Sequence, residues 1–101
     1  MKLTYPAIFY KDNADGCYAV EVPDLPGCVS GGSSLAEAIL MAADAASGWI
    51  LSELEDGNSL PPTSDIEDIH PEEGGFVNFL ALDMDAYIEK YGKSALIRSA
   101  A

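Results

Sequence analysis

Between Asp12 and Glu89 the chain has no lysine and no arginine. Its five bases, Lys2, Lys11, Lys90, Lys93 and Arg98, lie at the two ends, while all seventeen acids fall inside that interval. Phosphate backbones are gripped by Lys and Arg side chains that displace counterions. The body of this chain, at a formal net charge of −12, is therefore expected to repel nucleic acid. Such a surface either keeps a protein soluble or matches a basic partner.

Other scarcities narrow the chemistry. The two cysteines, Cys17 and Cys28, could be joined only by the single His70, short of the four ligands that zinc normally takes. They read as two buried free thiols, with a cross-strand disulfide as the alternative. Nucleophilic catalysis needs a Ser or Cys with an oriented base; His70 sits between Ile69 and Pro71 in an expected loop. The stretch "SGGSS" lacks the lysine and spacing of a phosphate-binding loop. A two-metal nuclease would use carboxylates to hold ions about 4 Å apart, and Asp24, Glu37 and Asp44 are the conceivable ligands. Glu37 has a structural explanation given below, however, and no bases accompany the set to hold a substrate. No catalytic residue, metal site or cofactor is assigned. No apolar run approaches the ~20 residues that cross a bilayer. The start, "MKLTYPAIFYKDN", lacks an apolar segment ending in a cleavage site, so a cytoplasmic protein is expected.

Nearly half of the 101 residues are hydrophobic, enough for one domain with a modest core. "LTYPAIFY" (Leu3–Tyr10) alternates as a strand does, although Pro6 points to an edge or a bulge. Asp15-Gly16 marks a hairpin. "CYAVEV" returns with Tyr18, Val20 and Val22 on one face. "VPDLPGC" then turns a corner into a short strand, "CVSGG". Its prolines fix the turn, Gly27 relaxes it, and Asp24 is read as a turn-capping acid. "SLAE" (Ser34–Glu37) is a capping box, with the Ser34 hydroxyl on the Glu37 amide and the Glu37 carboxylate reaching back. Leu35, Ala38, Ile39, Ala42, Ala46, Trp49, Ile50 and Leu54 follow at helical spacing, and Gly57 is the expected cap. An acidic connection with one helical turn near Asp65–Ile69 leads to "FVNFLALDM", which is apolar on both faces and reads as a central, doubly covered strand. A short helix opened by Asp83 or Asp85 ends the pattern. The order β-β-β-α-β-α, with a long helix before the fourth strand, suggests a right-handed crossover and a parallel strand. The expected fold is α+β: a mixed four-stranded sheet in the order 3-2-1-4 with one long helix packed on it.

In combination these pieces resemble the HicB-like antitoxin family. The resemblance rests on Tyr5 to Ile50, then "LPPTSDI" and the closing strand: about 80 residues in order. Its motif residues are Asp15, Gly16, Pro23, Asp24, Leu25, Pro26, Gly27, Cys28, Gly32, Ser34, Leu35, Glu37 and Ala38. The resemblance implies a partial RNase H-like fold without a working nuclease site. It also implies pairing with a small basic, HicA-like toxin that cuts messenger RNA, whose active face the antitoxin covers. Many members carry a C-terminal DNA-binding segment that represses their own operon. None is read here before Ala101, so DNA binding is expected only from a module beyond it. A carboxylate-dependent RNase H-like nuclease and a solitary regulatory protein without a toxin are the competing readings.

The domain is placed at residues 1–92, with 93–101 a tail or the start of a linker. Toxin contacts are expected at Asp65, Glu67, Asp68, Glu72, Glu73 and Tyr10, with Tyr87 and Tyr91 as further aromatic anchors. Because "FVNFLAL" and the helix after it offer more apolar surface than one helix covers, a homodimer or larger assembly is expected.

Overall fold

A computed structural model of the chain describes residues 1–92. Three strands come first: β1 (Lys2–Lys11), β2 (Tyr18–Glu21) and β3 (Val29–Gly32). The long helix α1 (Leu35–Glu55) follows, then a 3₁₀ turn at Ile66–Asp68, β4 (Gly75–Asp83) and α2 (Met84–Tyr91). The expected tail, residues 93–101, lies outside the described residues.

The four strands form one sheet in the order β3-β2-β1-β4, as the sequence suggests. Every neighbouring pair is antiparallel, however, so the sheet is not mixed. β4 runs against β1 over its full length, from Lys2 opposite Asp83 to Tyr10 opposite Gly75. The crossover rule applies to strands that return parallel; here α1 and the 19-residue stretch from Asp56 to Gly74 let the chain enter from the other end. β4 is also an edge strand rather than a central one. Leu80 and Leu82 are buried while Phe79, Ala81 and Asp83 are exposed, so only one face is covered along that half. The continuous apolar run hid this, because an edge strand with an uncovered apolar face has the same sequence pattern as a buried one.

Pro6 is buried inside β1 without a bulge, since the register with β4 is unbroken on either side of it. The ladder to β2 covers only Ile8–Lys11. At Pro6, β1 therefore has a partner on one side only, and the missing amide costs no ladder bond on the other.

The core lies between the sheet and α1. Tyr5, Ala7 and Phe9 from β1, Val20 and Val22 from the second strand region, and Leu80 and Leu82 from β4 meet Ala38, Ala42, Ala46 and Ile50 of α1. The four-residue spacing of three fully buried alanines makes a smooth stripe that lets the helix lie close on the strands. Leu35 faces solvent, whereas Ile39, Trp49 and Leu54 pack at the margin. By length and mean hydropathy α1 is apolar enough to span a membrane; in this fold its apolar stripe is spent on the sheet.

Both ends of α1 are capped. The Glu37 amide donates to Ser34 Oγ at 3.1 Å. The return contact differs from the expected box: Glu37 Oε1 accepts the amide of Ser33, at 3.0 Å, not that of Ser34. At the other end Gly57 adopts φ +75° and donates to the Leu54 carbonyl, and Asn58 donates to that of Glu53. That bond pattern is a Schellman motif, with Gly57 in its left-handed position. Asp83 caps α2, accepting the Ala86 amide at 3.2 Å.

Candidate functional site

The corner after β2 is built from backbone bonds. Leu25 donates to the Val22 carbonyl, Cys28 donates to that of Leu25, and Val22 donates to that of Cys28. Gly27 takes φ +81°, where a side chain would be strained. Leu25 is fully buried, and Trp49 Nε1 donates to the Pro26 carbonyl at 3.0 Å, tying the corner to α1. With the turn satisfied this way, the Asp24 carboxylate is free for another task. It does not cap its own turn. Instead Asp24 Oδ2 accepts the Ser64 amide at 2.8 Å and Oδ1 accepts the Ser64 hydroxyl at 2.5 Å.

Two more tethers hold the same connection. Tyr5 Oη donates to the Pro61 carbonyl at 2.7 Å. Further on, the Glu72 amide donates to Tyr10 Oη at 3.1 Å. A Cβ on Gly75 would fall 2.5 Å from the Tyr10 ring, so glycine is what lets that ring lie across the start of β4. Tyr10 is half-buried in this clamp, which makes it a structural post more than an outward anchor.

The connection that these tethers hold carries the five acids singled out in the sequence. Asp65, Glu67, Asp68, Glu72 and Glu73 are all exposed, and Glu67 and Asp68 lie within the 3₁₀ turn that Asp65 precedes. The fold thus gathers them on one segment held at Pro61, Ser64 and Glu72. Tyr87 and Tyr91 are elsewhere, on α2. Their rings contact at 4.7 Å between centroids, and Lys90 Nζ lies 5.2 Å from the Tyr91 centroid. Tyr87 is half-buried against the core, and only Tyr91 is largely open to solvent.

The remaining motif residues act structurally. The Asp15 carboxylate accepts the Cys17 amide at 2.9 Å, and Gly16 takes φ +77° in the hairpin. Gly32 faces the first turn of α1 so closely that a Cβ would stand 2.5 Å from the Ala38 nitrogen. Glu37 caps, and Ala38 is fully buried. The imagined ligand set of Asp24, Glu37 and Asp44 is not assembled: among the described residues no three His, Cys, Asp or Glu side chains converge on a metal-sized site. Both cysteines are free, but Cys17 is half-exposed, not buried. Burial pushes both thiols up; at Cys17 the Asp15 and Asp12 carboxylates add to it. Neither is primed as a thiolate nucleophile or ligand. Nothing in the local sequence marks Trp49, Ser64 and Pro61 as site residues, because their partners lie 23, 40 and 56 positions away.

An antiparallel sheet backed by one helix, with a tethered acidic segment, defines a class of protein built around a surface. A family model described as the HicB_like antitoxin of bacterial toxin–antitoxin systems matches residues 5–96. The chain belongs to the HicB-like antitoxin family. It is 48% identical over 65 residues to an uncharacterised 14.9 kDa protein of Haemophilus phage HP1, a match covering 64% of this chain and 47% of that protein. The chain thus spans about half the length of that curated relative. Its fold is similar to a chain in a toxin–antitoxin complex from Streptococcus pneumoniae, with a TM-score of 0.75 and 26% identity over 86% of this chain and 73% of that one. It is also similar to a chain of the HicA3 and HicB3 toxin–antitoxin complex, with a TM-score of 0.64 and 25% identity over 80% of this chain and 99% of the other.

Proposed function

We infer that this protein neutralises a small, basic, mRNA-cleaving toxin of the HicA kind by covering its active face, and that it performs no catalysis itself. The observation that carries this reading is the segment from Pro61 to Glu73. It presents Asp65, Glu67, Asp68, Glu72 and Glu73 to solvent while three tethers fix its course. A pre-ordered acidic surface suits a basic partner, because little ordering entropy is lost on docking and opposite charge accelerates encounter. The similarity to chains of toxin–antitoxin complexes supports the same partner.

The rest of the reading is consistent with that role. The protein acts in the cytoplasm, where the toxin's messenger RNA substrate is, and it self-associates. The stretch from Asp12 to Glu89, which holds no lysine or arginine, takes no share in gripping operator DNA. The test is co-expression with the product of an adjacent reading frame encoding a short basic protein. Growth arrest and RNA cleavage by that protein alone, relieved when both are made, with the two co-purifying, is the expected result. Failure of the pair to associate, or RNA cleavage by the acidic chain itself, overturns the reading.

A further inference from the structure

We propose that a second copy of this chain pairs with the free edge of β4, in register about Phe79, to make one continuous sheet across two subunits. The inference rests on the self-association proposed above and names its surface.

The sheet has two edges, and they differ. β3 has only four residues, includes two glycines, and is crowded by the start of α1. Short, covered edges are a common way of preventing unwanted pairing. β4 has nine residues with an unbroken register to β1, and so has no bulge. It contains no proline, lysine or arginine, and its sole charge is Asp83 at the far end. None of the usual defences of an edge is present.

The backbone groups on that edge can be assigned. Antiparallel neighbours alternate between pairs that exchange hydrogen bonds and pairs that do not. Phe79 stands opposite Pro6 in the register with β1. Its amide donates to Asn78 Oδ1, at 3.0 Å, and not to a carbonyl of β1, so Pro6 and Phe79 form a pair that exchanges no ladder bond, a place where proline's missing amide goes unused. The amides and carbonyls of Val77, Phe79 and Ala81 therefore point away from β1. Among the described residues no other backbone bond reaches the stretch from Phe76 to Leu82 on that side. The side chains of the same three residues share the face away from α1, where Phe79 is 42% exposed.

Charge selects the occupant. A basic partner would find no acid along Gly75–Leu82, whereas the acids stand on the tethered connection. A second copy brings another −12, so it can approach closely only through uncharged surface, and Gly75–Leu82 is the longest uncharged stretch on either edge of the sheet. Phe79 is also the midpoint of β4. An antiparallel two-fold there sets it against Phe79 of the partner subunit and Val77 against Ala81 of the partner subunit, while the two Asp83 side chains lie at opposite ends of the ladder. Asn78 then releases the Phe79 amide to the incoming strand.

The experiment measures the mass of the full chain by sedimentation from low to high micromolar concentration, for the wild type and for Ala81→Pro and Phe79→Lys. Proline at 81 removes an amide that makes no bond to β1, and lysine at 79 places charge on an already open face. Both variants should keep the wild-type circular dichroism. Each should weaken dimerisation by at least about tenfold, roughly 1.4 kcal/mol. The wild-type amides of Val77 and Ala81 should exchange more slowly as concentration rises, a readout independent of either variant's folding. A wild type that stays monomeric would end both the self-association reading and this one. An oligomer unaffected by both changes, with freely exchanging Val77 and Ala81 amides, would leave self-association standing and eliminate this surface.

Discussion

Asp24 and Ser64, forty positions apart, are joined by two hydrogen bonds, the Ser64 amide to Oδ2 at 2.8 Å and its hydroxyl to Oδ1 at 2.5 Å. Hydrogen bonds to a charged group contribute about 1.5–3 kcal/mol each when partly shielded from water, and losing one partner strands the other. Asp24→Ala is expected to lower stability by about 2–3 kcal/mol and Ser64→Ala by about 1 kcal/mol, since the latter keeps the amide bond. Chemical denaturation measures both. Amide exchange between Leu60 and Asp65 should accelerate in Asp24→Ala. With Mg²⁺ or Mn²⁺ neither the wild type nor Asp24→Asn should cut RNA or an RNA–DNA hybrid. Cleavage that Asp24→Asn abolishes would make this carboxylate catalytic.

Gly32 carries a prediction of the opposite kind, in which adding atoms does the damage. An alanine Cβ there would sit 2.5 Å from the Ala38 nitrogen and 2.9 Å from the Glu37 carbonyl carbon, both of them backbone atoms that cannot swing aside. Gly32→Ala should destabilise the protein by about 1–3 kcal/mol, the usual cost of overpacking. Gly16→Ala meets no neighbour but must hold φ +77°, so its cost should come from strain and be smaller, about 1 kcal/mol. Thermal melts that reverse this order would show that α1 can shift away from β3.

The acidic segment predicts a kinetic signature. Neutralising Asp65, Glu67, Asp68, Glu72 and Glu73 together should slow association with the basic toxin proposed above and flatten its dependence on ionic strength, with dissociation little changed. Rim charges act chiefly on encounter, which long-range attraction can raise from ~10⁵–10⁶ toward ~10⁸ M⁻¹s⁻¹ at low salt. Stopped-flow measurements across a salt series decide it. An unchanged slope would mean that the toxin docks on another face.

Alkaline pH should weaken the fold. Burial, and then the Asp24 charge, push the Tyr5 hydroxyl above its ordinary value of 10.0; burial, Asp44 and Tyr91 do the same for Tyr87. In each case the folded state holds its proton more tightly than the unfolded chain. The associated stability is therefore fully present below about pH 10 and is lost as pH rises through the higher folded values. Denaturation midpoints measured from neutral pH upward should fall across that window, and less steeply in a Tyr87→Phe variant.

What could be read from the sequence had local causes. The helix limits followed from Ser34 and Gly57, the hairpin from Asp15-Gly16, and the inward face of β2 from the alternation of Tyr18, Val20 and Val22. The direction and exposure of β4 were not local. An apolar strand has the same composition whether covered by protein or open to solvent, and the strand's sense depends on how the connection after α1 is routed. The candidate site divided in the same way. Its acids were evident from charge alone, but the post made by Tyr10 and the latch made by Asp24 depend on partners brought close only by the completed sheet.

The tethers at Pro61, Ser64 and Glu72 have a further consequence for how such a protein can diversify. They bracket a surface insert, Asp65–Pro71, in which every residue but Ile69 and Pro71 is exposed. Lengthening a surface loop costs little, about 0.6 kcal/mol for each doubling. If the insert carries the proposed partner contacts, it can behave as a cassette: its sequence and length can change to follow a changing partner while the posts and the core beneath them stay the same. Partner choice and fold stability would then be tuned by separate sets of residues, so that a new specificity could arise in one short exchange without a compensating change in the sheet.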